Sequence, residues 1–270
     1  MPLKDMMNKA QQLPNIPKVV QELIESFGNE DINTDDIAKK LASDQVLTAK
    51  VLRMANSARY GGNRKIGSVN DAVVVLGFNA LRTLVLASGL TSAFKAPEGF
   101  DIKQFWRNSF TCAALCKWLA KFTKLDSEIA FTCGMMHNIG GLLIHILTPD
   151  KAIVIDSAVG QGQDRKQIQD RQLGFDFTEA GAELAQSWRF PQEIVDAVRF
   201  QLSPEQPAPY AKTVYLAMFI LSLNASKQPE QMLAEFPDHI AKSIGIDVDQ
   251  MKNRLAETKA IDSGLDELLG

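Results

Sequence analysis

Phe105, Asn108, Cys112, Leu115, Leu119 and Phe122 stand at steps of three and four, the spacing of one helix face. The same spacing recurs along nearly the whole chain. The alternation that marks a half-buried strand is scarce. A chain patterned this way can bury its apolar stripes only by packing helix on helix, so an all-α fold is expected.

Punctuation divides these helices. Asn33, Thr34 or Asp35 can cap a helix running to Ser43, and a second runs from Val46 to about Tyr60. Gly61, Gly62 and Asn63 then supply a turn. Ala72 to Phe94 reads as one long buried helix, with Val74, Phe78, Leu81 and Val85 on one stripe. Lys95-Ala96-Pro97-Glu98-Gly99 is a hinge, because Pro and Gly this close end one helix and delay the next. Residues 1–95 are therefore expected as one helical subdomain and 96–225 as a second. Residues 226–270 are expected as a helical extension broken at Pro237 and Gly245. Within the second part, helices are expected over Ile102–Phe122, Ser127–Leu147, Lys151–Gly160, Pro191–Gln201 and Tyr210–Leu223. Asp176 and Glu179 have capping-box spacing.

Composition narrows the function classes. A net charge of −3 sets up no global field towards nucleic acid or anionic membrane. Three cysteines without a secretion-type N-terminus fit reduced thiols and a cytoplasmic protein. Ile139–Leu147 is too short to span a bilayer, which takes roughly 20 residues. No phosphate-binding glycine loop, dinucleotide fingerprint or nucleophile elbow is present. Six basic residues lie between Lys50 and Arg82, namely Lys50, Arg53, Arg59, Arg64, Lys65 and Arg82, against the single acid Asp71. Such a cluster is usually solvated surface, and it can also be a docking face for an acidic partner. No interleaved aromatics support nucleic acid.

Three segments carry a family resemblance. Leu13-Pro14-Asn15-Ile16-Pro17, Leu47 to Tyr60, and Ser68 to Gly77 followed by Leu81-Arg82 resemble the signatures of the HDOD family, in that family's order and spacing. The resemblance runs from about Leu13 to Leu223. It implies an HD-domain-like helical bundle in the second subdomain, related to metal-dependent HD phosphohydrolases that include a cyclic-di-GMP phosphodiesterase branch.

That relationship names positions to inspect. Asn108 stands where the hydrolases carry their first His, and its stripe places it facing the interior. Gly134-Met135-Met136-His137-Asn138-Ile139-Gly140 resembles the His-Asp motif, with His137 kept and Asn138 in place of the Asp. Phe177, Gln201 and Met218 occupy the other ligand positions. An amide is a poor ligand for a metal that prefers imidazole or carboxylate, and a phenyl ring offers no lone pair. His145 cannot join His137 on one ion, since eight helical residues rise about 12 Å. The resemblance therefore implies vestigial positions, with no catalytic residue, metal ligand or cofactor.

Simpler roles stand beside these. His137 can be a hydrogen-bonded core histidine, with Asn108 and Asn138 bonded to each other or to it. Cys112 and Cys116 share a helical face and suit apolar packing better than zinc. Gly134, Gly140 and Gly141 point to close helix–helix approach.

Three functions follow as expectations. The first is a non-catalytic regulatory module that binds a protein partner in a bacterial signalling pathway. The second is a metal-dependent phosphohydrolase rebuilt around His137 with Asp126, Glu128 or Asp176. The third is a non-hydrolysing nucleotide sensor near Asn108, His137 and Asn138, for which a cyclic dinucleotide is a conceivable ligand. Neither a membrane nor a nucleic acid is expected as partner.

Overall fold

A computed structural model describes residues 2–10, 16–25, 34–56, 66–95 and 97–261. Among them there is no strand. The expected turn at Gly61–Asn63, the Leu13–Asn15 part of the opening signature, and Arg59, Arg64 and Lys65 lie outside the described residues.

The first part of the chain builds α1 (Leu3–Ala10), α2 (Lys18–Glu25), α3 (Thr34–Ser43), α4 (Gln45–Ala55), α5 (Val69–Leu76) and α6 (Phe78–Ala93). Asp44 caps α4 through Leu47 N, and Ser68 caps α5 through Asp71 N. The single helix expected over Ala72–Phe94 is two. Gly77 takes φ +79°, a conformation L side chains resist, and turns the chain between α5 and α6. The stripe drawn across that junction is broken accordingly. Val74 is 82% exposed on α5, whereas Leu81 and Val85 are buried on α6. Every residue of α6 from Ala80 to Thr91 is buried, because α2, α4, α5 and α8 all pack against it.

The second part builds α7 (Ile102–Ala120), α8 (Ser127–Met136), α9 (Ile139–Leu147), α10 (Pro149–Gly160), α11 (Arg165–Leu173), α12 (Phe177–Ser187), α13 (Gln192–Phe200) and α14 (Pro209–Ala225). The helix expected over Ser127–Leu147 is also two, since Asn138 (φ −112°, ψ 16°) leaves helical geometry between α8 and α9. By length and composition alone this stretch could cross a membrane, yet 78% of its most apolar window is buried inside the fold. Helix α11 has no counterpart among the expected elements. Its sequence, RKQIQDRQL, is too polar to show an apolar stripe, and Asp164 and the left-handed Gly174 (φ +83°) delimit it. The expected capping box is present, with Asp176 accepting from Thr178 N and Glu179 N while Glu179 reaches back to Asp176 N.

α7 packs along α8 and α14, α9 against α12, and α13 between α12 and α14. Short helices α15 (Pro229–Ala234), α16 (Asp238–Ser243) and α17 (Val248–Lys252) and a 3-10 turn (Leu255–Ala260) follow, with breaks at the expected Pro237 and Gly245. α1 lies on α9 and α12, and α6 on α8. One apolar core therefore runs from Met6 to Met251, across the Lys95–Gly99 junction.

Candidate functional site: the interior around His137

Glycines bring the helices around His137 together. A Cβ on Gly134 would lie 2.6 Å from Ala113 Cα, and one on Gly140 would collide with the Phe177 carbonyl oxygen. No side chain fits at either point, so α8 meets α7, and α9 meets α12, backbone to backbone. Close approach is the expected role of Gly134 and Gly140, and the contacts bear it out. Gly141 is different. Its Cβ would run into Asn138 Oδ1, so the hydrogen there leaves room for the Asn138 side chain.

His137 closes α8 and is buried. Its Nδ1 pairs with the Gly134 carbonyl at 2.7 Å, and the Cys112 thiol lies against the ring. Gln201 is 1% exposed, and its Nε2 donates to the His137 carbonyl at 2.7 Å and to the Val198 carbonyl at 2.8 Å. The Phe177 ring is buried at the start of α12, and Met218 is half-buried on α14. Electrostatics follow from this packing. Burial works against a charged imidazole, but Cys112 and the Gly134 carbonyl outweigh it and raise the His137 pKa. Cys112 is held below the ordinary thiol range, first by the Cys116 thiol and then by His137. Burial pushes Cys116 and Cys133 well up. All three cysteines are buried and free of disulfides.

Asn108 departs from expectation. It is exposed on the outer face of α7, where its Oδ1 accepts from Gln104 Nε2 at 2.8 Å. On spacing alone it belongs inside. Trp106 and Phe110 instead fill the interior at this level, edge to face, with Phe110 packed on Phe131. The inward face of α7 here is Phe105, Trp106, Ser109 and Phe110, which leaves Asn108 beside the exposed Gln104 and Arg107. Asn108 therefore bonds neither Asn138 nor His137.

The carboxylates that could have rebuilt a metal site are engaged elsewhere. Asp126 caps α8 through Glu128 N and Ile129 N, Glu128 pairs with Lys117, and Asp176 caps α12. Among the described residues, one trio of His, Cys, Asp or Glu side chains brings its ligand atoms within 4.8 Å of one another: Asp170, Asp176 and Glu179. Lys166 Nζ already sits 3.1 Å from Asp170 and 2.6 Å from Asp176. His145 is also occupied, between the Gly141 carbonyl and Asp156.

The described members of the basic cluster do not share one exposed face. Lys50 Nζ donates to Ser92 Oγ at 2.8 Å and Arg53 is exposed, but Arg82 is 6% exposed. Burial lowers the Arg82 pKa, while Asp126 and Glu128 across the α6–α8 contact favour its charge. The pairing of Gln201 with the His137 backbone is absent from the expectations. A glutamine 64 residues away gives no sequence signal for it.

Known proteins share this architecture. Residues 13–204 match the HDOD domain. The chain is similar to a solved protein of Shewanella amazonensis named "putative phosphohydrolase", with 36% identity, 97% of this chain and 96% of that one covered, and a TM-score of 0.82. It shares its fold with an HDOD domain protein of Geobacter sulfurreducens (23% identity, 98% and 97% covered, TM-score 0.80). The same holds for a "putative signal transduction protein" of Marinobacter aquaeolei (23% identity, 97% and 60% covered, TM-score 0.77). A curated protein of Treponema pallidum is 24% identical over 258 residues, and this chain spans about half of its length.

Proposed function

This chain belongs to the HDOD domain family, and from that premise we propose that it is a non-catalytic regulatory module that transmits signals by binding a protein partner. The observation that carries the reading is the use made of His137. Its Nδ1 is committed to the Gly134 carbonyl, and its own carbonyl accepts from Gln201. The side chains at the other motif positions are amides, a phenyl ring and a thioether. This donor set does not fit a divalent transition metal, which needs several imidazole, thiolate or carboxylate ligands converging on one point. The interior serves as packed core, and no hydrolytic step runs through it. The helical exterior is what remains for signalling, with the exposed Val74, Val75, Ile153 and Val154 among its apolar contributions.

The hydrolytic alternative draws support from the name of the Shewanella relative. It would require His137 to join Asp126, Glu128 or Asp176, each of which caps a helix or pairs with a lysine. One experiment separates the two readings. Protein purified without chelator is analysed for Fe, Mn and Zn, and assayed against bis(p-nitrophenyl) phosphate with each metal added. Substoichiometric metal and no turnover are expected, alongside recovery of a specific protein partner by affinity capture from a native extract. Stoichiometric metal, with turnover that His137→Asn or His137→Ala abolishes, would establish the hydrolase instead.

A further inference from the structure

Where α7 ends, a groove of about 840 Å³ opens away from the His137 interior. Its walls come from the loop Lys121–Leu125, from the start of α14 at Pro209 and Lys212, and from the extension around Ile244. Three of its lining residues are lysines and none is an acid. That composition runs against the chain as a whole, whose net charge is −3. It runs further against the tail from Ser226, where nine acids face five bases. A concave, low-dielectric wall focuses the field of such a group of cations.

The local chemistry reinforces the lysines. Lys124 is exposed and makes no ion pair or hydrogen bond among the described residues, while Lys212 Nζ is steadied by Ser243 Oγ at 3.0 Å. Lys121 also acts on Glu257, which is itself held by Arg254 and Trp118. The first turn of the 17-residue helix α14 reaches the groove with no side-chain cap, because Ala208 is its N-cap residue. Its positive end adds to the field. The negative end of α7 arrives as well, but its last carbonyls accept from the Lys121, Phe122 and Thr123 N–H groups. Apolar surface is supplied by Phe122, Leu125, Pro207 and Ile244. The Phe122 ring is fixed between Trp118, centroids 4.9 Å apart, and the Arg254 guanidinium.

We propose that this groove binds a small phosphate-bearing molecule, its phosphate held among Lys121, Lys124 and Lys212 and its organic portion laid on Phe122, Leu125 and Ile244. The volume is that of a small-ligand site, roughly 300–1,000 Å³. The groove needs both the loop after α7, inside the family match, and residues beyond 204, where that match ends. A ligand here would couple the two. Binding at this groove is independent of whether the His137 region is inactive.

The test uses the full chain and three probes: inorganic phosphate, adenosine 5′-monophosphate and adenosine, titrated by calorimetry and by tryptophan fluorescence, since Trp118 adjoins Phe122. Both phosphates should bind, and adenosine at least about tenfold more weakly than its monophosphate. Lys124→Glu should cost about tenfold or more in affinity, with an unchanged melting temperature showing that the fold is intact. Lys212→Ala, which removes charge without reversing it, should weaken binding by a smaller factor. Binding should also fall as salt rises. The proposal is overturned by any of three results: no phosphate binding at millimolar concentration, equal affinity for adenosine and its monophosphate, or indifference to Lys124→Glu. Binding of a poly-glutamate peptide without phosphate binding would likewise overturn it in favour of a protein-docking surface.

Discussion

The interior around His137 and the groove beside Lys124 lie along α7 and just beyond its end, yet they are opposites. At Cys112 and His137 the helices touch backbone to backbone through Gly134, and the buried imidazole turns to a carbonyl of its own helix. A few turns on, at Lys121–Leu125, the chain leaves α7 and positive side chains stand around open volume. His137 is spent on packing, while the groove outside it gathers three lysines. Motif positions and ligand sites need not coincide.

The sharpest way to break this contrast is to force the tight region open. Gly140→Ala drives a methyl group into the Phe177 carbonyl, so α9 and α12 must separate. A loss of about 3 kcal/mol or outright misfolding is expected in urea melts. A neutral result would mean that the interior is loose enough to admit a ligand. Next in size, Gln201→Leu removes the donor to the His137 and Val198 carbonyls. It should cost about 1–3 kcal/mol by chemical denaturation. Asp176→Ala, which deletes the α12 cap and the Lys166 pair, should cost about 1–2 kcal/mol.

The same aspartate gives a pH signature. Burial raises its pKa, but Lys166, Thr178 and the Glu179 N–H more than compensate and leave it lowered. Its stabilisation is therefore complete above the unfolded carboxyl pKa, near 3.8, and is lost as pH falls below it. Melting temperature followed from pH 6 to pH 2 should fall less steeply in Asp176→Ala than in the parent. Smallest of all, Lys124→Ala should change stability by under about 0.5 kcal/mol, because the side chain is exposed and unpaired among the described residues. A large loss there would show that the groove lysines hold the extension in place.

Local chemistry is legible in the sequence wherever it is settled within a few residues. The capping box at Asp176, the breaks at Pro237 and Gly245, and the all-helical class all follow from spacing. The HDOD signatures are legible too, though part of the first lies outside the described residues. Two helix junctions escape such a reading because Gly77 and Asn138 sit inside otherwise continuous apolar runs, and a run has no way to announce a change of direction. Asn108 turns outward against expectation because a 3.6-residue stripe is wide. Which edge of it turns inward depends on bulk brought from α8, here Phe131 against Phe110.

By itself, then, the sequence determined the all-helical class, the Asp176 capping box and the family. Only the tertiary structure decided that Arg82 is buried, that Gln201 holds the His137 backbone, and that Lys121, Lys124 and Lys212 face one groove. Gln201 lies 64 positions from His137, and Lys212 lies far along the chain from Lys121 and Lys124; the distance between side chains from different elements is set by how the helices pack, which periodicity within one helix does not encode.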